Sequence, residues 1–353
     1  MIRSILIPID GSRHALAALD LSIDLARTYG ARLILLHVGL RDGDVPRDLY
    51  QAAARELAQA EQQGVEQQGA EHRGQAPDIH PHLSEHLRIM EYLGHKVLRE
   101  ARQAATERGI GNSETVIDFG DAGERILHHA RHRSVDLIVM GSRGYGELEG
   151  LFLGSVSHKV LHLAPCSCVT LHRTEAEAGF QGLKTIVVAS DGSDHATKSV
   201  ELASDLAARY GARLILLHAL RRGASAAQLR AAVDPGRLGA KTREELEMAE
   251  RLVAMGSGAG LLAAAISEAA LKEIGDHILK RGEAAARARS VERLELRLVD
   301  DDPARAILAT AREEKADLIA LGSRGLGEVE GLLVGSVSYK VNHAAPCTCL
   351  VVR

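Results

Sequence analysis

An α/β fold written twice in tandem is the class that the sequence predicts, and three observations predict it. Blocks of sequence recur at a constant spacing of 181 residues. Ala31-Arg-Leu-Ile-Leu-Leu-His37 returns letter for letter as Ala212-Arg-Leu-Ile-Leu-Leu-His218. Asp10-Gly-Ser12 returns as Asp191-Gly-Ser193, Gly141-Ser-Arg-Gly144 as Gly322-Ser-Arg-Gly325, and Pro165-Cys166 as Pro346-Cys347. Four widely spaced blocks in one register mark an internal duplication. Within each half, short continuous apolar runs alternate with stretches of helical period, which is the pattern of parallel βαβ units covered on both sheet faces. The length of 353 residues is that of about two domains. The expected domains are residues 1–174 and 182–353, joined by a short polar linker over 175–182.

The first half sets the order of elements. Ile2 to Ile9 is an apolar run ended by Asp-Gly, a buried strand entering a turn. His14 to Tyr29 carries Leu16, Leu19, Ile23, Leu25 and Ala26 at helical spacing, and Gly30 stops it. Leu33 to Val38 is a second buried strand and Thr115 to Phe119 a third. Gly123 to His132 is helical, with Ile126, Leu127 and Ala130 facing inward. Val135 to Met140 is the fourth strand, Val156 to Leu163 the last helix, and Cys166 to Leu171 the fifth strand. The second half repeats this order. Residues 41–110 and 222–290 diverge between the halves and read as helical excursions, with helices expected over Glu85 to Arg108 and Thr242 to Met255.

Composition narrows the function. Lys and Arg number 43 against 47 Asp and Glu, a net charge of -4, which disfavours a chain built to grip nucleic acid or an anionic membrane. There is no Trp, and 3 Phe and 6 Tyr are few for a base-stacking surface. No apolar run reaches the 18 or so residues that cross a bilayer. The first ten residues reach a carboxylate too soon for a signal peptide. Four cysteines are too few for a disulfide scaffold, so the expected compartment is the reducing cytoplasm.

The strongest chemical signal follows the fourth strand. Gly141-x2-Gly144-x9-Gly154-Ser155 recurs as Gly322-x2-Gly325-x9-Gly335-Ser336. Glycines just past a parallel strand let backbone N–H groups approach a ligand with no Cβ in the way. The Gly-Ser pair stands where the last helix begins, and free N–H groups with the positive end of the helix dipole favour phosphate there. Both pieces lie at strand carboxyl ends, where open α/β sheets bind ligands. The bland alternative is turns and caps. No Gly-Lys-Ser/Thr follows the glycines, and no G-x-G-x-x-G follows the first strand, so neither a Walker A loop nor a dinucleotide fingerprint is present. Asp10 and Asp191 end the first strand of each half. Each reads equally as an acceptor for ribose or as an Asx turn before the helix.

This pattern, with the strand-end Asp and the terminal Ala-Pro-Cys strand, resembles the universal stress protein family in its ATP-binding branch. The resemblance covers both halves outside the excursions. It implies two Rossmann-like domains, each a five-stranded parallel sheet of order 3-2-1-4-5 flanked by helices. It implies that Asp10 contacts ribose, that Val38 meets adenine, that Gly141, Gly144, Gly154, Ser155 and Val156 hold the phosphates, and that Met140 and Ser157 belong to the nucleotide site; Arg143, inside the loop, reads equally as a phosphate contact or as an exposed arginine. In the second half the same roles fall on Asp191, Ala219, Leu321, Gly322, Arg324, Gly325, Gly335, Ser336, Val337 and Ser338. The implied ligand is ATP or a related adenine nucleotide, with magnesium as an option, and the implied role is regulation in a stress response. The family often dimerises through its last strand, which implies an intrachain pseudo-dimer of the two halves, with a homodimer as a further possibility. Two other functions stay open: a nucleotide hydrolase on the related fold, and a nucleotide-free module that binds a partner.

Several departures and side signals carry expectations of their own. Pro8-Ile9 becomes Ala189-Ser190, and Val38 becomes Ala219, a smaller adenine wall. Gly120-Asp121-Ala122 becomes Asp301-Asp302-Pro303, acidity that would repel phosphate if close. Cys166 with Cys168 and Cys347 with Cys349 are expected as reduced core thiols rather than metal ligands. His37, His218, the group His80, His82 and His86, and the group His128, His129 and His132 are expected on the surface or at caps. The Ala-rich stretch 260–270 is expected as a buried or interface helix.

Overall fold

The computed structural model describes residues 2–39, 47–66, 84–144, 153–172, 180–220, 224–254, 266–326 and 334–353. The chain divides into two units: Met1–Cys166 with Thr174–Phe180, and Ser167–Arg173 with Gln181–Arg353. In the first unit the elements are β1 (Ser4–Pro8), α1 (Arg13–Tyr29), β2 (Arg32–Gly39), α2 (Arg47–Glu66), α3 (Glu85–Glu107), β3 (Ser113–Phe119), α4 (Ala122–His132), β4 (Leu137–Gly141) and α5 (Ser155–Leu163). The second unit holds β5 (Ser167–Leu171), β6 (Thr185–Ala189), α6 (Asp194–Tyr210), β7 (Arg213–Ala219), α7 (Ala226–Ala232), α8 (Ala240–Ala254), α9 (Glu268–Arg287), β8 (Leu294–Val299), α10 (Pro303–Glu313), β9 (Leu318–Gly322), α11 (Ser336–Ala344) and β10 (Thr348–Val352).

The sheet of the first unit runs β3-β2-β1-β4, all parallel, with Ile5 level with Leu33 on one side and Leu137 on the other. In the second unit β8-β7-β6-β9-β10 gives the full 3-2-1-4-5 order in parallel. The fifth strand of the first half pairs as the implied association through last strands expects. β5 belongs to the second unit, where it pairs antiparallel with β10, Val169 opposite Leu350. The physical reason is edge protection. β10 would otherwise present unpaired N–H and C=O groups, and β5 satisfies them. The sheet there is mixed, not wholly parallel.

The β1, β2 and β4 strands are apolar because both faces are covered; Ile5, Leu6, Leu33 to Leu36 and Ile138 are wholly buried. α1 starts at Ser12, whose side chain accepts from the Ala15 N–H at 3.2 Å, and it stops at Gly30 in the left-handed conformation. Its inner face is Ala15, Ala18, Leu19, Ser22, Ile23 and Ala26. Leu16, read at helical spacing with Leu19 and Ile23, is 46% exposed in the first turn of the helix. The excursions carry cores of their own. Leu57 and Ile89, with Met90 and Leu93, join α2 to α3. Leu229, Leu246, Leu271 and Ile274 join α7, α8 and α9. The expected excursion helices appear as α3 and α8, while residues 260–265 of the Ala-rich stretch lie outside the described residues. No helix among the described residues is long and apolar enough to cross a membrane.

Candidate functional site

The carboxyl ends of β6, β7 and β9 meet the start of α11 around a cavity of about 210 Å³. All the residues singled out in the second half line it: Asp191, Ala219, Leu321, Gly322, Arg324, Gly325, Gly335, Ser336, Val337 and Ser338. The sequence separates them by up to 147 positions, and the parallel topology brings their strand ends to one side.

The glycine loop is closed by hydrogen bonds that do not use its side chains. The Gly335 N–H donates to the Ser323 carbonyl at 2.7 Å, and the buried Ser338 hydroxyl donates to the Gly322 carbonyl at 2.6 Å. The first half repeats both, Gly154 to Ser142 at 2.7 Å and Ser157 to Gly141 at 2.8 Å. Ser157 and Ser338 therefore brace the strand end with their hydroxyls. At Gly322 a Cβ would stand 2.7 Å from the backbone N of Ala196, so only glycine lets β9 approach the first turn of α6. At Gly144 a Cβ would stand 2.6 Å from Asp10 Oδ2, and Gly325 meets Asp191 in the same way.

Asp10 and Asp191 realise the Asx-turn reading and also face the loop. Asp10 Oδ1 accepts from the Ser12 N–H at 2.8 Å, and Asp191 Oδ1 from the Ser193 N–H at 3.1 Å. Asp191 Oδ2 accepts from the Leu326 N–H at 2.9 Å and so ties the β6–α6 turn to the glycine loop. The helix caps themselves are Ser12 and Ser193. A carboxylate oxygen has lone pairs beyond one such bond, so acceptor capacity remains.

The helix starts are unequal. Ser12, Ser84, Asp121, Ser193, Ser225, Ser267 and Asp302 each cap a helix with a side-chain oxygen. α5 and α11 begin at Gly154 and Gly335 with no side-chain cap. Ser155 and Ser336 are exposed there, and Val156 is half-exposed. First-turn N–H groups with no side-chain acceptor, plus the helix dipole, form an anion-seeking surface. Arg143 and Arg324 flank it. Arg324 lies 3.4 Å from the His195 ring nitrogen, and in the first half burial, then the Arg143 charge, lowers the pKa of His14 against the pull of Asp10.

The first half assembles the same parts. Val38 and Met140 are buried at their strand ends, and Gly141, Gly144, Gly154 and Ser155 occupy the positions of their second-half counterparts. Residues 145–152, inside its loop, lie outside the described residues.

Other expectations are corrected. Asp301 and Asp302 do not line the cavity. Asp302 caps α10 by accepting from the Arg305 N–H at 3.1 Å, and Asp301 pairs with Arg305 at 3.4 Å. Both carboxylates are already held, so the feared repulsion of phosphate has no source in the lining. His37 and His218 are not surface residues. They are buried, with Nδ1 on the backbone oxygens of Ile9 at 2.8 Å and Ser190 at 2.7 Å. A carbonyl only accepts, so Nδ1 carries the hydrogen and each histidine clips the end of one strand to the next. His86 stacks on Tyr50, and His80 and His82 lie outside the described residues. His129 joins Arg125 on Asp118; burial pushes that carboxyl up, but these two bonds outweigh it and hold its pKa low. Cys168, Cys347 and Cys349 are buried and unbridged, and burial pushes the Cys349 thiol well up. Among the described residues no group of His, Cys, Asp and Glu is placed to hold a metal ion.

The lining also includes residues that the sequence did not assign to the site: Ser190, Leu217, His218, Pro303 and Ile307. The recurrence of His37 at His218 was the available signal. Pro303 and Ile307 come from α10, whose approach to the cavity has no local mark in the sequence.

Comparison with known proteins follows the same division. The family model described as the universal stress protein family matches residues 1–172 and again residues 182–353. The chain is 33% identical over 167 residues to universal stress protein YxiE of Bacillus subtilis, covering 47% of this chain and 96% of that protein. It is 37% identical over 175 residues to a universal stress protein of Thermus aquaticus, covering 48% of this chain and 98% of that one. Among solved structures, a universal stress protein from Archaeoglobus fulgidus matches with a TM-score of 0.58 at 21% identity, over 99% of this chain and 96% of that chain, a likeness of fold.

Proposed function

We propose, for a chain that belongs to the universal stress protein family, that each half holds an adenine nucleotide, ATP foremost, and that the protein acts by binding it as a regulator in a stress response. The observation that carries this reading is the convergence of every second-half candidate on one cavity whose wall is the side-chain-uncapped start of α11. The residues fit the ligand. Backbone N–H groups of the glycine loop and of the first turn of α11, with the Ser336 hydroxyl, are the donors for a polyphosphate. Asp191 is the acceptor for ribose hydroxyls, and Leu217 to Ala219 with Ile307 give an apolar wall for a base. A magnesium ion would arrive on the phosphates, since Asp191 is the one carboxylate that the described residues bring to the lining.

Mass spectrometry of ligand released from the purified chain, followed by calorimetric titration with ATP, tests the reading. Adenine nucleotide in the released fraction, or saturable ATP binding at two sites per chain, is expected. Absence of both at millimolar ATP refutes it, and steady phosphate release well above background replaces it with a hydrolase.

A further inference from the structure

Away from this cavity, the second half carries a groove of about 490 Å³ between α10 and α11. Its floor is apolar, with Leu308 and Ala309. Its walls carry the cations Arg305 and Arg312 from α10 and Lys340 from α11, with the His343 ring beside them. No carboxylate lines it. Arg305 has Asp301 at 3.4 Å, whereas Arg312 and Lys340 have no ion pair among the described residues.

The duplication supplies the comparison. The first half builds the same helix pair as α4 and α5. There Lys159, the counterpart of Lys340, is held by Asp121 at 2.9 Å and by Glu124 at 3.0 Å. The counterpart of Glu124 is Arg305. This exchange removes one of the two carboxylates that hold the lysine, the other returning as Asp302, and puts a further cation in its place. The same surface thus carries one carboxylate fewer and one cation more in the second half.

We propose that the α10–α11 groove docks an acidic peptide segment carrying apolar side chains, presented by a partner protein. Charge complementarity calls for carboxylates on the occupant. The apolar floor calls for side chains that a free anion or a nucleic-acid backbone would not supply. The reading is independent of nucleotide binding, since no residue of this groove lines the cavity described above.

The test uses the full chain and a short fluorescein-labelled peptide of repeated Glu-Glu-Leu units, followed by fluorescence anisotropy. Saturable binding is expected, weakening as salt rises. The double variant Arg312→Glu/Lys340→Glu is expected to bind roughly tenfold or more weakly, since each reversed surface charge removes one modest attraction and adds a repulsion. Arg305→Glu, which restores the first-half arrangement around the lysine, is expected to weaken binding in the same direction. All three positions are exposed, and an unchanged thermal melt confirms that the fold is intact. Equal binding of wild type and double variant overturns the proposal. So does polyglutamate, duplex DNA or a phosphatidylserine vesicle binding as tightly as the mixed peptide.

Discussion

Replacing Gly335 by Asp separates what the start of α11 does for stability from what it does for a ligand. Gly335 has φ -70° and ψ 156°, extended backbone that any residue adopts. A Cβ there would find its nearest neighbours at 3.6 Å, the Cα of Arg324 and the carbonyl of Ser323, which is ordinary contact. The new carboxylate caps a helix that has no side-chain cap and faces the positive end of its dipole. The gain is about 0.3–1 kcal/mol, or roughly 1–4 °C in Tm for a unit of this size. The same carboxylate stands where the phosphates are proposed to lie. Two unit charges about 4 Å apart repel by about 4 kcal/mol at an effective dielectric of about 20. The half-exposed surroundings of Ser336 reduce this to about 2 kcal/mol, roughly a thirty-fold loss of affinity. Gly154 has φ -75° and ψ 159°, so Gly154→Asp is added to silence the first site as well. Scanning calorimetry and titration with ATP read the two effects. A higher Tm with weaker binding is expected. Unchanged ATP affinity in the double variant refutes the phosphate placement, and a lower Tm refutes the argument from space.

Two further outcomes follow from buried polar groups. The Asn342 side-chain amide donates to Thr170 Oγ1 at 2.8 Å, and both residues are wholly buried. Thr170→Val leaves that amide without its acceptor and is expected to cost about 1–3 kcal/mol in a urea melt, while Thr170→Val/Asn342→Leu recovers most of the loss. Burial lowers the pKa of His37 below 6.5, although its bond to the Ile9 carbonyl pulls the other way. Between the folded value and 6.5 the unfolded chain binds the proton that the folded chain refuses, so stability present above 6.5 is lost as pH falls through that window. The urea midpoint is expected to drop between about pH 7.5 and about pH 5.5, and to drop less in His37→Gln.

Repetition made most of the architecture legible. The alternation of elements and the glycine positions lie in segments where two copies agree, and agreement at a fixed spacing marks a candidate site better than either copy alone; the strand order came from the family resemblance. What stayed hidden has physical causes. Apolar alternation does not say which neighbour a strand will pair with, so the transfer of β5 to the second unit was visible only as an expectation of paired last strands. Histidine at a strand end reads as surface from its polarity, and only the backbone oxygens of Ile9 and Ser190 explain its burial. Asp301 and Asp302 look hostile to phosphate until the cap of α10 and Arg305 take up their charge. Leu16 has the spacing of Leu19 and Ile23 but stands in the first turn of its helix, where it is exposed.

The Asn342–Thr170 bond has a historical consequence. In a homodimer every contact across a twofold axis occurs twice. Here Asn342 stands where the first copy has Leu161, and Thr170 where the second has Val351, so the polar bond is made once. A chain assembled from two first copies would oppose leucine to threonine. One from two second copies would oppose asparagine to valine. The copies have ceased to be interchangeable and have become complementary, and reverting either residue alone passes through a mismatched interior. Duplication here is a ratchet: one buried hydrogen bond now depends on both copies having diverged.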